Sequence, residues 1–365
     1  KGTARALKDK GRHIITSTVE HPAVLEVCRH LEGEGFTTTY VDVDDTGMVR
    51  VEDVAAAIRP DTILITVMHA NNEVGTIQPI AEIAELAKKH GIRLHTDAAQ
   101  SVGKIETNVQ RLNVDMLSVA GHKLYAPKGV GALYVRSGIH LEKLVHGADH
   151  EMNWRAGTEN VLEIVGLGEA CRLVSEEGTQ ETARLAALRD ELQERLLAAV
   201  PDAVVHGDQG GRLPNTLSIG FPGMAAGEIM DAAPHVAVSA GAACHGDGGV
   251  TISHVLQAMG VPEQLVERGL PGEPQQQVQQ ALGRHRGEEL RLLLRGPRAA
   301  AEELGVGLAD EGDHADGGAD HRGQPVHLPG AADAGLDHRG VVRLPQVEQR
   351  ERHEARHPHV AELVQ

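Results

Sequence analysis

Short apolar runs alternate with amphipathic stretches from the start of the chain to about residue 135. The apolar runs predict six strands, over residues 13–17, 38–43, 62–68, 93–96, 115–119 and 131–135. The stretches between them predict helices over residues 22–32, 51–58 and 80–90, the first of which has proline in its first turn. Strands and helices that alternate in this way predict an α/β fold with a mainly parallel sheet flanked by helices.

A different pattern follows at about residue 180. Residues 180–199 predict a long amphipathic helix, whose apolar positions fall near one helical face: Leu185, Leu188, Leu192 and Leu196. Residues 216–220 and 236–239 predict two short strands. We therefore expect a large domain over residues 1–177 and a smaller, α+β domain over residues 178–264.

The composition of the chain changes after about residue 264. Residues 265–365 contain only Ala, Asp, Glu, Gly, His, Leu, Pro, Gln, Arg and Val. These are the amino acids with codons that can begin with G or C, so a GC-rich gene read out of frame predicts this composition. The alternative is a disordered, low-complexity tail. We favour the out-of-frame interpretation, which an intact reading frame across codons 255–275 would exclude.

Charge and cysteine content limit the function classes. The formal net charge of −17 argues against nucleic acid or an anionic membrane as the main partner. No apolar stretch reaches the roughly 18 residues of a membrane helix. Cys28, Cys171 and Cys244 are widely spaced, which predicts neither a disulfide framework nor a metal site and fits a reducing cytoplasm. The chain begins at Lys1 without a signal-like segment or an initiating methionine, so we expect a cytoplasmic protein and a truncated N-terminus.

Polar residues with catalytic potential follow three of the predicted strands. Asn72, Asp97 and Lys123 all lie where parallel strands end, and ligands of such sheets bind beyond those ends. A lysine amine can hold the aldehyde of pyridoxal phosphate as a Schiff base, and a carboxylate can keep its pyridine nitrogen protonated. Lys123 and Asp97 therefore indicate pyridoxal phosphate chemistry. We expect Lys123 to be buried, with its pKa lowered by burial and by a neighbouring positive charge.

Four sequence strings carry a family resemblance. They are Gly-His-Lys at residues 121–123, Met-His-Ala-Asn-Asn-Glu-Val-Gly at 68–75, His-Thr-Asp-Ala-Ala-Gln-Ser-Val-Gly-Lys at 95–104 and Arg-Ala-Gly-Thr-Glu-Asn at 155–160. Together they resemble the cysteine desulfurase and selenocysteine lyase family, within the class V aminotransferase branch of pyridoxal phosphate enzymes. The resemblance runs from about Gly11 to about Gln264. It implies the type I fold of these enzymes, with a mainly parallel, seven-stranded type of sheet in the large domain.

The resemblance also implies roles for the residues around the cofactor ring. Lys123 matches the Schiff base lysine, and Asp97 matches the partner of the pyridine nitrogen. Asn72 and Gln100 match residues that hydrogen-bond the cofactor's phenolic oxygen. His21 matches a histidine that stacks on the pyridine ring and can move protons.

Further roles concern the phosphate group and the nucleophile. His122 matches a histidine on the phosphate side, whereas Ala120 stands where the family commonly has a phosphate-binding serine. Thr158 matches a threonine that reaches the phosphate of the partner subunit, which implies a homodimer with shared sites. Cys244 matches the nucleophilic cysteine, which attacks the sulfur of the substrate. Cys28 and Cys171 lie in helical patterns and are expected to be packing residues.

The implied function is that of a cysteine desulfurase, which converts L-cysteine to alanine and leaves a persulfide on the enzyme. The sulfur would pass to an acceptor or scaffold protein for iron–sulfur clusters or thio-cofactors. A selenocysteine lyase is the first alternative, because residues 241–245 are closer to that branch. A class V aminotransferase is a further alternative, against which Cys244 argues. An inactive truncated relative is another, supported by the missing N-terminus, by Ala120 and by the altered C-terminal sequence. The expected substrate-binding arginine in an Arg-x-Ser string is also missing after Gln264.

Overall fold

The computed structural model describes residues 1–224, 226–239 and 252–262. A six-stranded sheet forms the centre of this part of the chain. Its strands are β1 (His13–Ser17), β2 (Thr37–Val41), β3 (Thr62–Thr66), β4 (Arg93–Asp97), β5 (Met116–Ala120) and β6 (Gly131–Val135). Their order is β2-β1-β3-β4-β5-β6, and all neighbours are parallel except β5 and β6. The α/β class with a mainly parallel sheet is confirmed.

The number of strands differs from the number that the resemblance implies. Within the described residues the sheet has six strands rather than seven. The apolar pattern of the sequence contains six runs before residue 136, and each of them forms a strand of this sheet.

Helices cover both faces of the sheet. In sequence order the first five are α1 (Gly2–Leu7), α2 (Pro22–Gly33), α3 (Val51–Ala57), α4 (Ile80–His90) and α5 (Val109–Leu112). Because successive strand residues point to opposite faces, Ile14 packs with α1 and α2 while Ile15 packs with α3 and α4. Both β1 and β3 are buried at every position, as expected of central strands in a two-sided sheet.

A helix of 39 residues, α7 (Val161–Ala199), follows the short helix α6 (His150–Asn153). It begins well before residue 180, where the sequence pattern places its start. Glycines at 166, 168 and 178 interrupt the apolar pattern of the first half, and the first turns expose apolar side chains to solvent. The predicted domain boundary after residue 177 falls within this helix, and the division into two domains stays a prediction.

Smaller elements follow the long helix. Strands β7 (Val204–His206) and β8 (Ser218–Gly220) form an antiparallel pair, and the helices α8 (Ala226–Ala232) and α9 (His254–Ala258) come after them. The predicted strand over residues 216–220 is present as β8, whereas β7 was not predicted. The predicted strand over residues 236–239 is wrong: these residues form no strand, and Val238 is half-exposed, not packed on a sheet face. Over the part of the chain described here, no helix is both long and apolar enough to cross a membrane.

Candidate active site

A cavity of about 710 Å³ lies at the carboxyl ends of the parallel strands. Six of the predicted site residues line it: His21, Asn72, Asp97, Gln100, His122 and Lys123. They come from the turn after β1, the loop after β3, the end of β4 with the turn that follows it, and the segment after β5. The fold therefore gathers residues that are far apart in sequence at the edge of the sheet where ligands of such folds bind.

Asp97 is the last residue of β4, and hydrogen bonds fix both its side chain and its backbone. Its Oδ1 accepts a hydrogen bond from the backbone N–H of Ala99 at 2.9 Å. Its carbonyl oxygen accepts from the backbone N–H of His69 at 2.8 Å. The carboxylate is thus held in one orientation at the cavity wall.

A histidine that the sequence analysis did not select lies directly beside Asp97. His95 also lines the cavity, and its two ring nitrogens lie 2.8 Å from the hydroxyl groups of Thr66 on β3 and Ser118 on β5. Burial lowers the pKa of His95 to about 4, although the negative charge of Asp97 acts to raise it. The ring is therefore neutral at pH 7 and joins three adjacent strands. The signal was present in the sequence, because residues 95 and 97 of one strand share a face.

Lys123 lies on a short 3-10 helix, Gly121–Leu124, that follows β5. The prediction that Lys123 is buried is wrong: Gly121 and Leu124 are buried, whereas His122 and Lys123 are exposed. In a helix of three residues per turn, positions 121 and 124 share the inward side, which leaves the two positions between them outward. A Cβ at position 121 would lie 2.6 Å from the carbonyl oxygen of Val130, so only glycine fits there.

The positive neighbour expected beside Lys123 is Lys104. The ammonium group of Lys104 donates a hydrogen bond to the carbonyl oxygen of Gln100 at 2.9 Å. Burial and the charge of Lys123 lower the pKa of Lys104. The two lysines are therefore close enough for their charges to repel each other.

His21 begins the helix α2 as its N-cap. Its Nδ1 accepts a hydrogen bond from the backbone N–H of Ala23 at 3.1 Å, and Pro22 occupies the first helical position. A ring nitrogen that accepts a hydrogen bond carries no proton, so the neutral ring carries its proton on Nε2. The cap thus sets both the position and the tautomer of a ring that lines the cavity.

Comparison with known proteins gives the family. The sequence model of the class-V aminotransferases matches residues 1–260. The chain belongs to the class-V aminotransferase family. Among its curated relatives, the cysteine desulfurase IscS of Dictyoglomus turgidum is 48% identical over 270 residues, which are 73% of this chain and 68% of that protein. The IscS of Methanosarcina thermophila is 46% identical over 272 residues, 74% of this chain and 67% of the relative.

Solved structures agree with this assignment. A NifS-like protein matches with a TM-score of 0.67 at 32% identity, covering 83% of this chain and 78% of its own. DndA from Streptomyces lividans matches with a TM-score of 0.63 at 37% identity, covering 72% of this chain and 75% of its own. SspA in complex with cysteine matches with a TM-score of 0.60 at 37% identity, covering 72% of this chain and 74% of its own. The type I fold of pyridoxal phosphate enzymes is therefore confirmed, and class-V aminotransferases depend on that cofactor.

Two predicted site residues of this class-V chain are not part of the cavity wall. Thr158 is exposed in the segment before α7 and does not line the cavity. Cys244 lies outside the described residues. Their predicted roles therefore stay predictions.

The two remaining cysteines differ from each other. Cys28 is buried on α2, and burial with the charge of Glu20 raises the pKa of its thiol to about 11, so its prediction as a packing residue is confirmed. The same prediction for Cys171 is wrong, because this residue faces solvent on α7. Among the residues placed by the structure, no three histidine, cysteine, aspartate or glutamate side chains are arranged to hold a metal ion.

Proposed function

We propose that this chain is a pyridoxal-phosphate-dependent cysteine desulfurase, which converts L-cysteine to alanine and leaves the sulfur as a persulfide on Cys244. One observation carries the proposal: Lys123 and Asp97 line a single cavity in a chain 48% identical to a cysteine desulfurase. A relative of similar fold, SspA, is known in complex with cysteine.

The residues of the cavity fit the proposed cofactor. A volume of about 710 Å³ lies in the range usual for cofactor sites. Lys123 would hold the aldehyde, Asp97 the pyridine nitrogen, and Asn72 and Gln100 the phenolic oxygen. His122 would lie on the phosphate side. Bound pyridoxal phosphate supplies an electron sink that weakens the bonds around the substrate's α-carbon.

Charge at the cavity wall favours this arrangement. Because burial keeps His95 neutral at pH 7, it places no positive charge beside Asp97 that would compete with a protonated pyridine nitrogen. Lys104 lies near Lys123, and the pKa of Lys104 is lowered by burial and by the charge of Lys123. His21 carries a proton on Nε2 in its neutral form and would stack on the ring and move protons.

The nucleophile is proposed from the sequence. Nε2 of His254 lies 3.0 Å from the carbonyl oxygen of Glu20, the residue before His21. Cys244 lies ten positions before His254 in the sequence, and its role as the nucleophile is proposed from that sequence alone.

We further propose a homodimer that acts in the cytoplasm and delivers sulfur to an acceptor or scaffold protein. Thr158 would reach the phosphate of the partner subunit's cofactor. The exposure of Thr158 supports this role. The start of α7 supports the dimer, because its apolar residues Val161, Leu162 and Val165 are 63%, 86% and 64% exposed. A selenocysteine lyase is the second candidate function, favoured by the sequence of residues 241–245.

Product analysis with the full chain and added pyridoxal phosphate tests the function. With L-cysteine we expect alanine and persulfide in the wild type, and neither product above background in Cys244→Ala. The matched control, Cys171→Ala, removes an exposed thiol outside the cavity and should leave turnover unchanged.

Selenocysteine distinguishes the two candidates. Turnover of selenocysteine that survives Cys244→Ala, while turnover of cysteine is lost, would favour the lyase. Absence of both products from the wild type, with either substrate, would contradict both proposals.

A further inference from the structure

Glu20 is a fully buried acid directly before His21, and the proposed chemistry gives it no role. Its side chain has 0% exposure, in the turn between β1 and α2. Oε1 accepts two hydrogen bonds, from the hydroxyl of Ser17 at 2.7 Å and from the backbone N–H of Met68 at 2.8 Å. Ser17 ends β1, and Met68 follows β3 and lines the cavity. One oxygen atom therefore joins the ends of two neighbouring strands.

The second oxygen of Glu20 lies in apolar surroundings. Oε2 is buried and has no hydrogen-bond partner among the described residues. Val19, which precedes Glu20, and Met68, which donates to Oε1, pack in an apolar cluster with Val74, Val255 and Met259. Burying an ionised carboxylate in such a place costs free energy, because its negative charge has no compensating partner. A neutral carboxylic acid avoids most of that cost.

The titratable side chains around Glu20 include Asp97 at the end of β4, Cys28 on α2, His254 on α9 and the adjacent His21. Burial, together with the negative charge of Asp97, raises the pKa of Glu20 to about 8, against the opposing effect of its two hydrogen bonds.

A second buried polar residue ties the same two segments together. Nδ2 of Asn71 donates to the carbonyl oxygen of Val19 at 3.0 Å. Its Oδ1 accepts from the backbone N–H groups of Glu73 and Val74 at 2.8 and 3.0 Å. The turn before His21 and the loop that carries Asn72 are thus cross-linked by side chains that do not line the cavity.

We propose that Glu20 is a positioning residue that works as a neutral carboxylic acid: it fixes the turn that carries His21 to the end of β3 and adds no second negative charge beside Asp97. The effect on turnover rests on the proposed function. The protonation of Glu20 does not.

Infrared spectroscopy of the full chain without cofactor tests the protonation state. The spectrum of the wild type minus that of Glu20→Gln should contain the stretching band of a protonated carboxyl group at pH 6.5, lost with a midpoint near pH 8. The control Glu26→Gln changes an exposed glutamate of α2 that pairs with Arg29, and it should leave the band in place. Absence of the band at pH 6.5 would overturn the proposal. If Glu20→Gln fails to fold, titration of the wild type labelled with ¹³C-glutamate gives the same decision.

The pH profile of turnover tests the positioning role. Glutamine keeps an acceptor for Ser17 and Met68 and cannot ionise, so Glu20→Gln should retain kcat/KM within twofold at pH 7 and lose less activity than the wild type above pH 8. Alanine removes the acceptor, and Glu20→Ala should lose at least tenfold at pH 7. Equal losses in both variants, or identical alkaline limbs in the wild type and Glu20→Gln, would contradict the role. If the wild type does not turn over cysteine, the proposed function fails, while the infrared result still decides the state of Glu20.

Discussion

At the scale of single residues, burial determines which groups around the cavity carry charge. His95 and His69 both have their pKa lowered to about 4 by burial, and each binds a hydroxyl group through its ring. Glu20 has its pKa raised to about 8 by the same cause. At pH 7 these three side chains are therefore neutral.

His95 should make the stability of the protein depend on pH. The folded chain keeps His95 neutral down to about pH 4, whereas the unfolded chain binds a proton below about pH 6.5. The contribution of neutral His95 to the free energy of unfolding is therefore complete above pH 6.5. It is lost as the pH falls toward 4, by up to about 1.4 kcal/mol per pH unit. Urea unfolding at pH 7 and pH 4.5 measures this loss. His95→Gln should lose less free energy of unfolding between these pH values than the wild type does.

A control separates this effect from general acid sensitivity. His90→Gln changes an exposed histidine at the end of α4 and should follow the wild type at both pH values. Equal losses in the wild type and His95→Gln would show that His95 is not held neutral.

The sequence predicted the cavity residues better than it predicted the residues that support them. Asn72, Asp97 and Lys123 follow recognisable strands, so their position at one sheet edge could be predicted from the pattern alone. Strand alternation alone places His95 on the face of Asp97. The hydrogen bonds of His95 and Glu20, to residues distant in the chain at 66, 118 and 68, are in no local pattern. Exposure of Lys123 was missed for a local reason, the 3-10 turn that directs it outward.

At the scale of elements, the six strands were predicted because each is a compact apolar run, and the long helix was only half predicted. The first turns of α7 place apolar residues outward, so they lack the one-sided pattern of a surface helix. Its inner side packs against the 3-10 helix that carries Lys123, through Leu167 and Ala170. The start of α7 thus supports the candidate site on one side and offers an apolar surface on the other.

That surface should be the centre of the proposed dimer. Leu162→Glu places a charge on the most exposed leucine of α7 and should shift the protein from dimer to monomer in sedimentation velocity, because burying an unpaired charge opposes association. The control Leu188→Glu changes a half-exposed leucine further along the same helix and should leave the dimer intact. A wild type that sediments as a monomer, or a dimer unaffected by Leu162→Glu, would contradict the proposed interface.

At the scale of the whole molecule, the family match and the composition agree on where the enzyme-like part of the chain lies. The class-V aminotransferase match ends at residue 260, close to the change in composition at about residue 264. The tail over residues 265–365 lies outside the described residues, and its out-of-frame origin stays a prediction for DNA sequencing to test. The cavity belongs entirely to the matched part, so the central claim is a claim about residues 1–260.

The most direct test of that claim is where pyridoxal phosphate attaches to the chain. The full chain is incubated with the cofactor, reduced with borohydride and digested, and the labelled peptide is identified by mass spectrometry. We predict the label on Lys123 in the wild type and in Lys128→Ala, a control that removes an exposed lysine of the same segment, and no label in Lys123→Ala. A label on another lysine, or none in the wild type, would contradict the account.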